Sequence, residues 1–414
     1  MIKENNKIIT DIKQLLENYL HESYTRDLMN SLYEDISLRM DYAEQISGSE
    51  KEQIEYEPPK GINYRLAVDK VITYCESILP EEKYLHLLLD FSQLMFYEGE
   101  ISYSMEIAED LLSKINSNGS FASLRAEVNL MISKIHWSQA YWNDCNQFIS
   151  AAIKIFRSIG SESGLAKCEN MLGTLYGEKG EFDDAKKHLK KALKHLGKED
   201  DSSARAMIFT NLGIICTIQG ENEKAIWNYK NAVEIFNEIK DDRRLARVYH
   251  NIGMLYTRME NYYDAALDEF NKCITLSIEK DYLSNCAVAY IGKAFIYTKL
   301  GNPALADAYT DKAMEIAYKL NDTLSIADIY KVKGMIQNHM SNFELSEEMF
   351  ENSVRLNRDI ENKLNEAESS AQLGELLQKN NRTEEAEPYI QKATNFFDRL
   401  NNEKTKAGLI EQII

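Results

Sequence analysis

The chain is 414 residues long and carries a formal net charge of −18. A single hydrophobic core stops growing near about 250–300 residues, so this length requires several domains or an extended repeat array. Only 5 Pro and 18 Gly are present, too few turn formers for an all-β sandwich or barrel, and the acidic balance repels phosphate backbones and anionic lipid, which argues against nucleic acid and membrane surfaces as general partners.

The N-terminal stretch MIKENNKIITDIKQ has no apolar run of signal-peptide length, and no segment approaches the roughly 20 apolar residues of a membrane span. The six cysteines, Cys75, Cys145, Cys168, Cys216, Cys273 and Cys286, are scattered and form no C-x-x-C pair, so neither a disulfide framework nor a zinc ribbon is expected. Free thiols predict a cytoplasmic protein. Apolar spacing predicts one amphipathic helix over Ile8–Tyr19 and a second over Tyr24–Ile46, the latter marked by Leu28, Leu32, Ile36 and Met40. Glycine, charge and a Pro-Pro pair in GSEKEQIEYEPPKG (48–61) break the pattern. The expected organisation is a helical hairpin over 1–47, a linker over 48–62, a connecting helix over 63–80, a repeat array over 81–402 and a capping helix over 403–414. The hairpin reads as an N-terminal cap, with an effector or dimerisation module as the alternative. It lacks the basic recognition helix of a DNA reader.

From residue 81 onward the chain repeats itself about every 40 residues. In MLGTLYGEKGEFDDAKKHLKKA (171–192) and NLGIICTIQGENEKAIWNYKNA (211–232), Gly173, Gly180, Ala185 and Ala192 fall on Gly213, Gly220, Ala225 and Ala232. NIGMLYTRMENYYDAALDEFNKC (251–273) continues the frame after one inserted residue, with Gly253, Tyr256, Ala266 and Cys273. Further copies run through Ala294, Gly301, Ala306 and Ala313, then Gly334, Ser346 and Ser353, then Gly374, Ala386 and Ala393. An earlier copy carries Ser133, Ala140, Cys145 and Ala152, and a fainter one passes through Gly99 and Ser104. Each copy holds two apolar-periodic segments of helix length around a short polar turn. One such pair cannot bury its apolar face alone, so the pairs must stack. Asp or Asn closes most copies, at Asp241, Asp242, Asp281, Asn321, Asp322, Asn362, Asn401 and Asn402, as natural caps for the next helix.

A small residue, an aromatic three later, a Gly, and small residues about 12 and 19 after the first together resemble the tetratricopeptide repeat, of the longer bacterial type with a period near 40 rather than 34. The resemblance implies an all-α fold: a right-handed superhelix, or α-solenoid, of about seven to eight helix pairs.

No conventional chemistry is visible. There is no phosphate-cradling G-x-x-x-x-G-K-[ST] loop and no G-x-G-x-x-G, and GSESG (160–164) places Glu162 where a nucleophile elbow needs Ser. The seven histidines never take a tight metal-ligand spacing; His188 and His195, among lysines, read as a solvated helix edge, and His136 as a packed core residue. The basic run KHLKKALKHLGK (187–198) reads as a solvated face, with a docking patch for an acidic partner as the alternative. Neither an enzyme, a cofactor nor a metal site is expected.

The resemblance also implies a concave groove lined by the first helix of each repeat. The position two before the conserved small residue, where the family often clamps a peptide backbone through an amide, is Asn211 in NLG and Asn251 in NIG. Gly292, Val332 and Gln372 hold it further on. Arg247, His250, Arg258, Lys331 and Lys167 are expected beside them, with Thr257, Phe295, Asp328 and Glu375. The expected function is a non-catalytic interaction scaffold holding an extended peptide or partner segment, with a homodimer left open. RVYHNIGMLYTRMENYYDAA (247–266) and YTKLGNPALADAYTDKAMEIAYKLND (297–322) are similar to Rap-type peptide-pheromone receptors. That likeness implies the alternative, a peptide-gated receptor acting on a response regulator or other effector through its N-terminal helices.

Overall fold

All regular structure among the described residues is helical. The computed structural model describes residues 7–32, 60–116, 119–139, 141–197, 201–259, 261–280, 282–320, 322–360 and 362–402. Two compact units divide the chain, Met1–Ile135 and His136–Ile414.

The first unit holds α1 (Lys7–Leu16), α2 (22–32), α3 (Lys60–Ile78), α4 (Glu81–Tyr97), α5 (Ile101–Asn116) and most of α6 (Ala122–Ser138). Helix α1 stops three residues before the expected Tyr19. Only the first part of the expected second helix, and neither the 48–59 linker nor the 403–414 cap, lies within the described residues. Lys60, Gly61 and Ile62 belong to α3 rather than to the linker. Side-chain hydrogen bonds tie the unit together: the Tyr19 hydroxyl donates to Asp90 at 2.6 Å, and Lys70 donates to Ser31 at 2.9 Å. Where α4 meets α5, Ser92 and Ser104 each donate to the other's carbonyl, at 2.9 and 2.7 Å. Buried hydroxyls of this size let two backbones approach while keeping every polar group paired.

The second unit contains α7 (Trp142–Ile159) and then six helix pairs: α8/α9 (Glu162–Glu178, Phe182–Leu196), α10/α11 (Ser202–Ile218, Asn222–Glu238), α12/α13 (Asp242–Thr257, Tyr263–Glu279), α14/α15 (Leu283–Lys299, Pro303–Lys319), α16/α17 (Thr323–His339, Phe343–Asp359) and α18/α19 (Lys363–Lys379, Thr383–Asn402). The repeated small residue has a direct steric role. A Cβ on Gly213 would stand 2.5 Å from the Tyr229 ring, one on Gly253 2.6 Å from Phe270, and one on Gly334 2.6 Å from Phe350. In these pairs the first helix thus offers a notch that the second helix fills with a large side chain, while Gly292 on α14 makes room for Phe270 of the preceding pair. Tyr229, Phe270 and Phe350 are accordingly almost wholly buried.

Inter-repeat turns are capped as the sequence suggests at three of the named positions. Asp241, Asp322 and Asn362 accept from the backbone N–H of Arg244, Ser325 and Asn365 at 3.1 Å each. Asp242 instead begins α12 and pairs with Lys280 at 3.1 Å. Asn401 and Asn402 lie inside α19, not in a turn, and Asp281 and Asn321 fall outside the described residues. Within pairs, the turn needs one left-handed residue. Gly180, Gly220 and Gly301 supply it, and Asn261, Ser341 and Asn381 adopt the same conformation where glycine is missing.

His188 and His195 depart from the expected solvated edge. The His188 Nδ1 lies 2.5 Å from Glu169 Oε2, and the His195 Nδ1 lies 2.7 Å from Glu162 Oε2. The antiparallel run of α8 and α9 brings the two seven-residue spacings into register as two rungs, and Tyr176 stacks on the His188 ring at 5.0 Å.

Candidate functional site

Helices α10, α12, α14, α16 and α18 line a cavity of about 540 Å³ within the second unit. Each contributes a face left over once its opposite side has packed on its pair partner. Because these helices recur every 40 residues or so, residues far apart in sequence share one wall. Ile214, Met254, Ile291, Phe295 and Met335 provide an apolar floor, and His250, Asn251, Asp328, Lys331 and Glu368 supply polar groups.

Of the residues expected in the groove, Asn251, His250, Arg258 and Lys331 line this cavity, as do Thr257, Phe295 and Asp328. Asn211, Arg247, Lys167 and Glu375 do not. The Asn211 amide is turned to a neighbouring helix instead: its Nδ2 donates to Asn170 Oδ1 at 2.9 Å and to Thr174 Oγ1 at 3.2 Å. It ties α10 to α8. Asn170, off the frame by one, is the buried acceptor of that link. Arg247 and Lys167 are exposed, and Glu375 pairs with Lys379 at 2.6 Å.

Neighbouring residues Asn251 and His250 differ from the rest. The Nδ2 of Asn251 and the Nδ1 of His250 are buried and have no hydrogen-bond partner among the described residues. Buried polar groups are paired in the great majority of native structures. Burial pushes the His250 pKa down to about 3, and the nearby Arg247 charge adds to the effect. His250 is therefore a neutral imidazole at physiological pH, resting against the Phe270 ring at 5.6 Å. On α8, burial raises the Glu178 carboxyl to about 7, against the pull of Arg247.

The opposite wall is ionic. Lys331 Nζ lies 3.2 Å from Asp328 and 2.8 Å from Glu368. Arg258, at the end of α12, lies 3.7 Å from Glu368 on α18, and Asn365 donates to Asp328 at 3.2 Å. Burial opposes the charge of Lys331, yet Asp328 and Glu368 together hold its pKa above the ordinary value. Glu368 pays the same burial cost and is nevertheless held below the usual carboxylate range by Lys331 and Arg258. Burial dominates at Asp328 and raises it. Lys299 lines the same cavity and makes no ion pair among the described residues; its Nζ sits 5.6 Å from the Phe295 ring.

Family models for the tetratricopeptide repeat match residues 204–279 and 325–399, and a second such model matches 170–194. The notch-and-ring packing recurs over the same stretches. These segments are tetratricopeptide repeats.

No curated protein matches the sequence. Among solved structures, the chain is similar to a Rap protein complexed with competence and sporulation factor, with 14% identity, a TM-score of 0.63, and coverage of 82% of this chain and 94% of that one. It is similar to the Rap conjugation gene regulator of the plasmid pLS20 in complex with the Phr* peptide, at 14% identity and TM-score 0.57, covering 79% and 98%. Aspartyl phosphate phosphatase F from Bacillus subtilis gives 14% identity and TM-score 0.54 over 97% of both chains. These likenesses establish the all-α, Rap-like fold. Among the described residues no helix is long and apolar enough to cross a membrane, and no group of three or more His, Cys, Asp or Glu could hold a metal.

The tetratricopeptide frame puts Asn251 and His250 on the face that lines the cavity, and it does not point to Glu368 and Asn365, which line it too. Both lie on α18, where a frame-based reading stops at Gln372 and Glu375. The available signal was the periodicity itself: stepping back 40 residues from Glu368 gives Asp328, and from Asp328 gives Val288, all cavity-lining positions.

Proposed function

We propose that the concave face of the second unit binds an extended peptide or an unfolded segment of a partner protein. The observation that carries this reading is the pairing of a cavity of about 540 Å³ with two adjacent half-buried residues, His250 and Asn251, whose buried Nδ1 and Nδ2 atoms have no partner among the described residues. A peptide backbone offers alternating donors and acceptors, which suits a primary amide beside a neutral imidazole. The volume falls within the roughly 300–1,000 Å³ range of small-ligand clefts, which fits a few peptide residues rather than a folded surface. The role is that of a non-catalytic interaction protein.

The peptide-gated receptor is the second reading. It is supported by the fold likeness to two proteins whose structures hold a competence and sporulation factor and a Phr* peptide. The helices of the first unit would then carry the response to an effector.

The test is retention of a hexapeptide library, read by mass spectrometry, on wild-type protein and on Asn251→Ala and Asn211→Ala. Asn251→Ala should lose most of the retained peptide. Asn211→Ala should keep it while lowering stability by about 1 kcal/mol, the usual worth of a hydrogen bond. Equal retention by wild type and Asn251→Ala would remove the groove from the account. A change in small-angle scattering on adding the retained peptide would favour the receptor over a static scaffold.

A further inference from the structure

The ionic wall has an unusual span. Arg258 caps the C-terminus of α12 and Glu368 belongs to α18, so their contact skips the two intervening pairs and bridges the cavity they enclose. Other links between these inner helices join adjacent repeats: Lys331 with Glu368 and Asn365 with Asp328 both connect α16 to α18. Glu368 is thus shared between two cations from different helices, and its side chain is only 21% exposed.

Resting on the peptide-binding reading, we infer that Glu368 is a built-in stand-in for a ligand carboxylate, and that its bridge to Arg258 straps the groove closed until an acidic peptide exchanges for it. Two features favour exchange at Arg258. Its contact to Glu368 is 3.7 Å, whereas Lys331 holds Glu368 at 2.8 Å. Lys331 also keeps Asp328 as a second counter-charge, so releasing Glu368 from Arg258 leaves no buried charge unpaired. Charge complementarity selects an anionic occupant. The ionised side chains lining the cavity are Arg258, Lys299, Lys331, Asp328 and Glu368, a net of +1 in a chain of net −18. Lys299 supplies a second cation for a carboxylate seated at Arg258. The chain's own acidic surface disfavours anions elsewhere, so the preference belongs to this cavity. Ligand entry is therefore coupled to separation of α12 from α18, and opening is driven only by ligands that bind the open state better.

The experiment compares a hexapeptide library containing Asp and Glu with one that lacks both and is C-terminally amidated. Each is applied to wild type, Glu368→Gln and Arg258→Gln. Both variants should fold, because Lys331 retains Asp328 in the first and Glu368 retains Lys331 in the second. The expected result is preferential retention of acidic peptides by wild type. Glu368→Gln should strengthen that retention by roughly tenfold, equivalent to about 1.4 kcal/mol, and Arg258→Gln should abolish the preference while still retaining neutral peptides. Equal retention of both libraries by all three proteins would overturn the strap and leave the groove reading intact. Weaker acidic-peptide retention by Glu368→Gln would overturn it as well. If wild type and both variants retain neither library, the groove reading fails and takes the strap with it.

Discussion

Single side chains on α12 set the electrostatic character of the groove. His250 is held neutral because desolvation and the Arg247 charge push its pKa to about 3, from an ordinary value of 6.5. Between these values the unfolded chain binds a proton that the folded chain refuses. Its contribution to stability is fully present above about pH 6.5 and is lost as pH falls toward 3, with a slope of at most about 1.4 kcal/mol per pH unit. Glu178 has the opposite sign: its folded pKa of about 7 exceeds the ordinary 4.5, so the folded chain keeps a proton the unfolded chain releases, and stability declines as pH rises between those values. His250→Leu should therefore flatten the acid side of a urea-denaturation profile taken from pH 7 to 4. A profile unchanged from wild type would show that the imidazole is not desolvated in the folded protein. The repeat frame fixes which face of a helix His250 and Asn251 occupy, and that face lines the cavity. Asn211 holds the same frame position, but its amide is taken up by Asn170 of the previous repeat.

At the scale of one helix pair, the design is a notch, a ring and a left-handed turn. The turn position is filled by Gly180, Gly220 and Gly301, but also by Ser341 with φ of 62°. A non-glycine residue in that conformation costs roughly 1–2 kcal/mol. Ser341 is exposed, so Ser341→Gly removes the strain without disturbing packing and should raise stability by up to about 1 kcal/mol after the added freedom of the unfolded chain is subtracted. Thermal and urea unfolding would read the gain, and a loss would mean the Ser341 side chain supports the turn. These elements were legible in the sequence because the notch residue and its large apolar partner recur sixteen or seventeen residues apart: Gly173 with Leu189, Gly213 with Tyr229, Gly253 with Phe270. The His188–Glu169 and His195–Glu162 rungs were not, because like spacing on two helices reveals nothing until their antiparallel register is known.

Across the second unit, each repeat packs on its neighbours, so stability spreads from interface to interface. Gly334→Ala would push a Cβ to 2.6 Å from the Phe350 ring, an overpacking that typically costs about 1–3 kcal/mol. Native-state hydrogen exchange should show protection falling most in α16/α17, next in α14/α15 and α18/α19, and least in α8/α9. A uniform loss would instead indicate one cooperative block. The ionic wall was the least legible feature at this scale. The sequence places Arg258 and Glu368 110 residues apart, and only the curvature accumulated over three repeats brings them within 4 Å.

The cysteines lie at the same small or apolar positions that build the core, and all six are buried. Burial pushes the thiols of Cys75, Cys145, Cys168 and Cys273 up to about 12. A thiol in that state reacts only when its surroundings open. Cys145, Cys168, Cys216, Cys273 and Cys286 are distributed over α7, α8, α10, α13 and α14. The molecule thus carries its own set of clocks, and the order in which an alkylating reagent stops them reads out where the array breathes first.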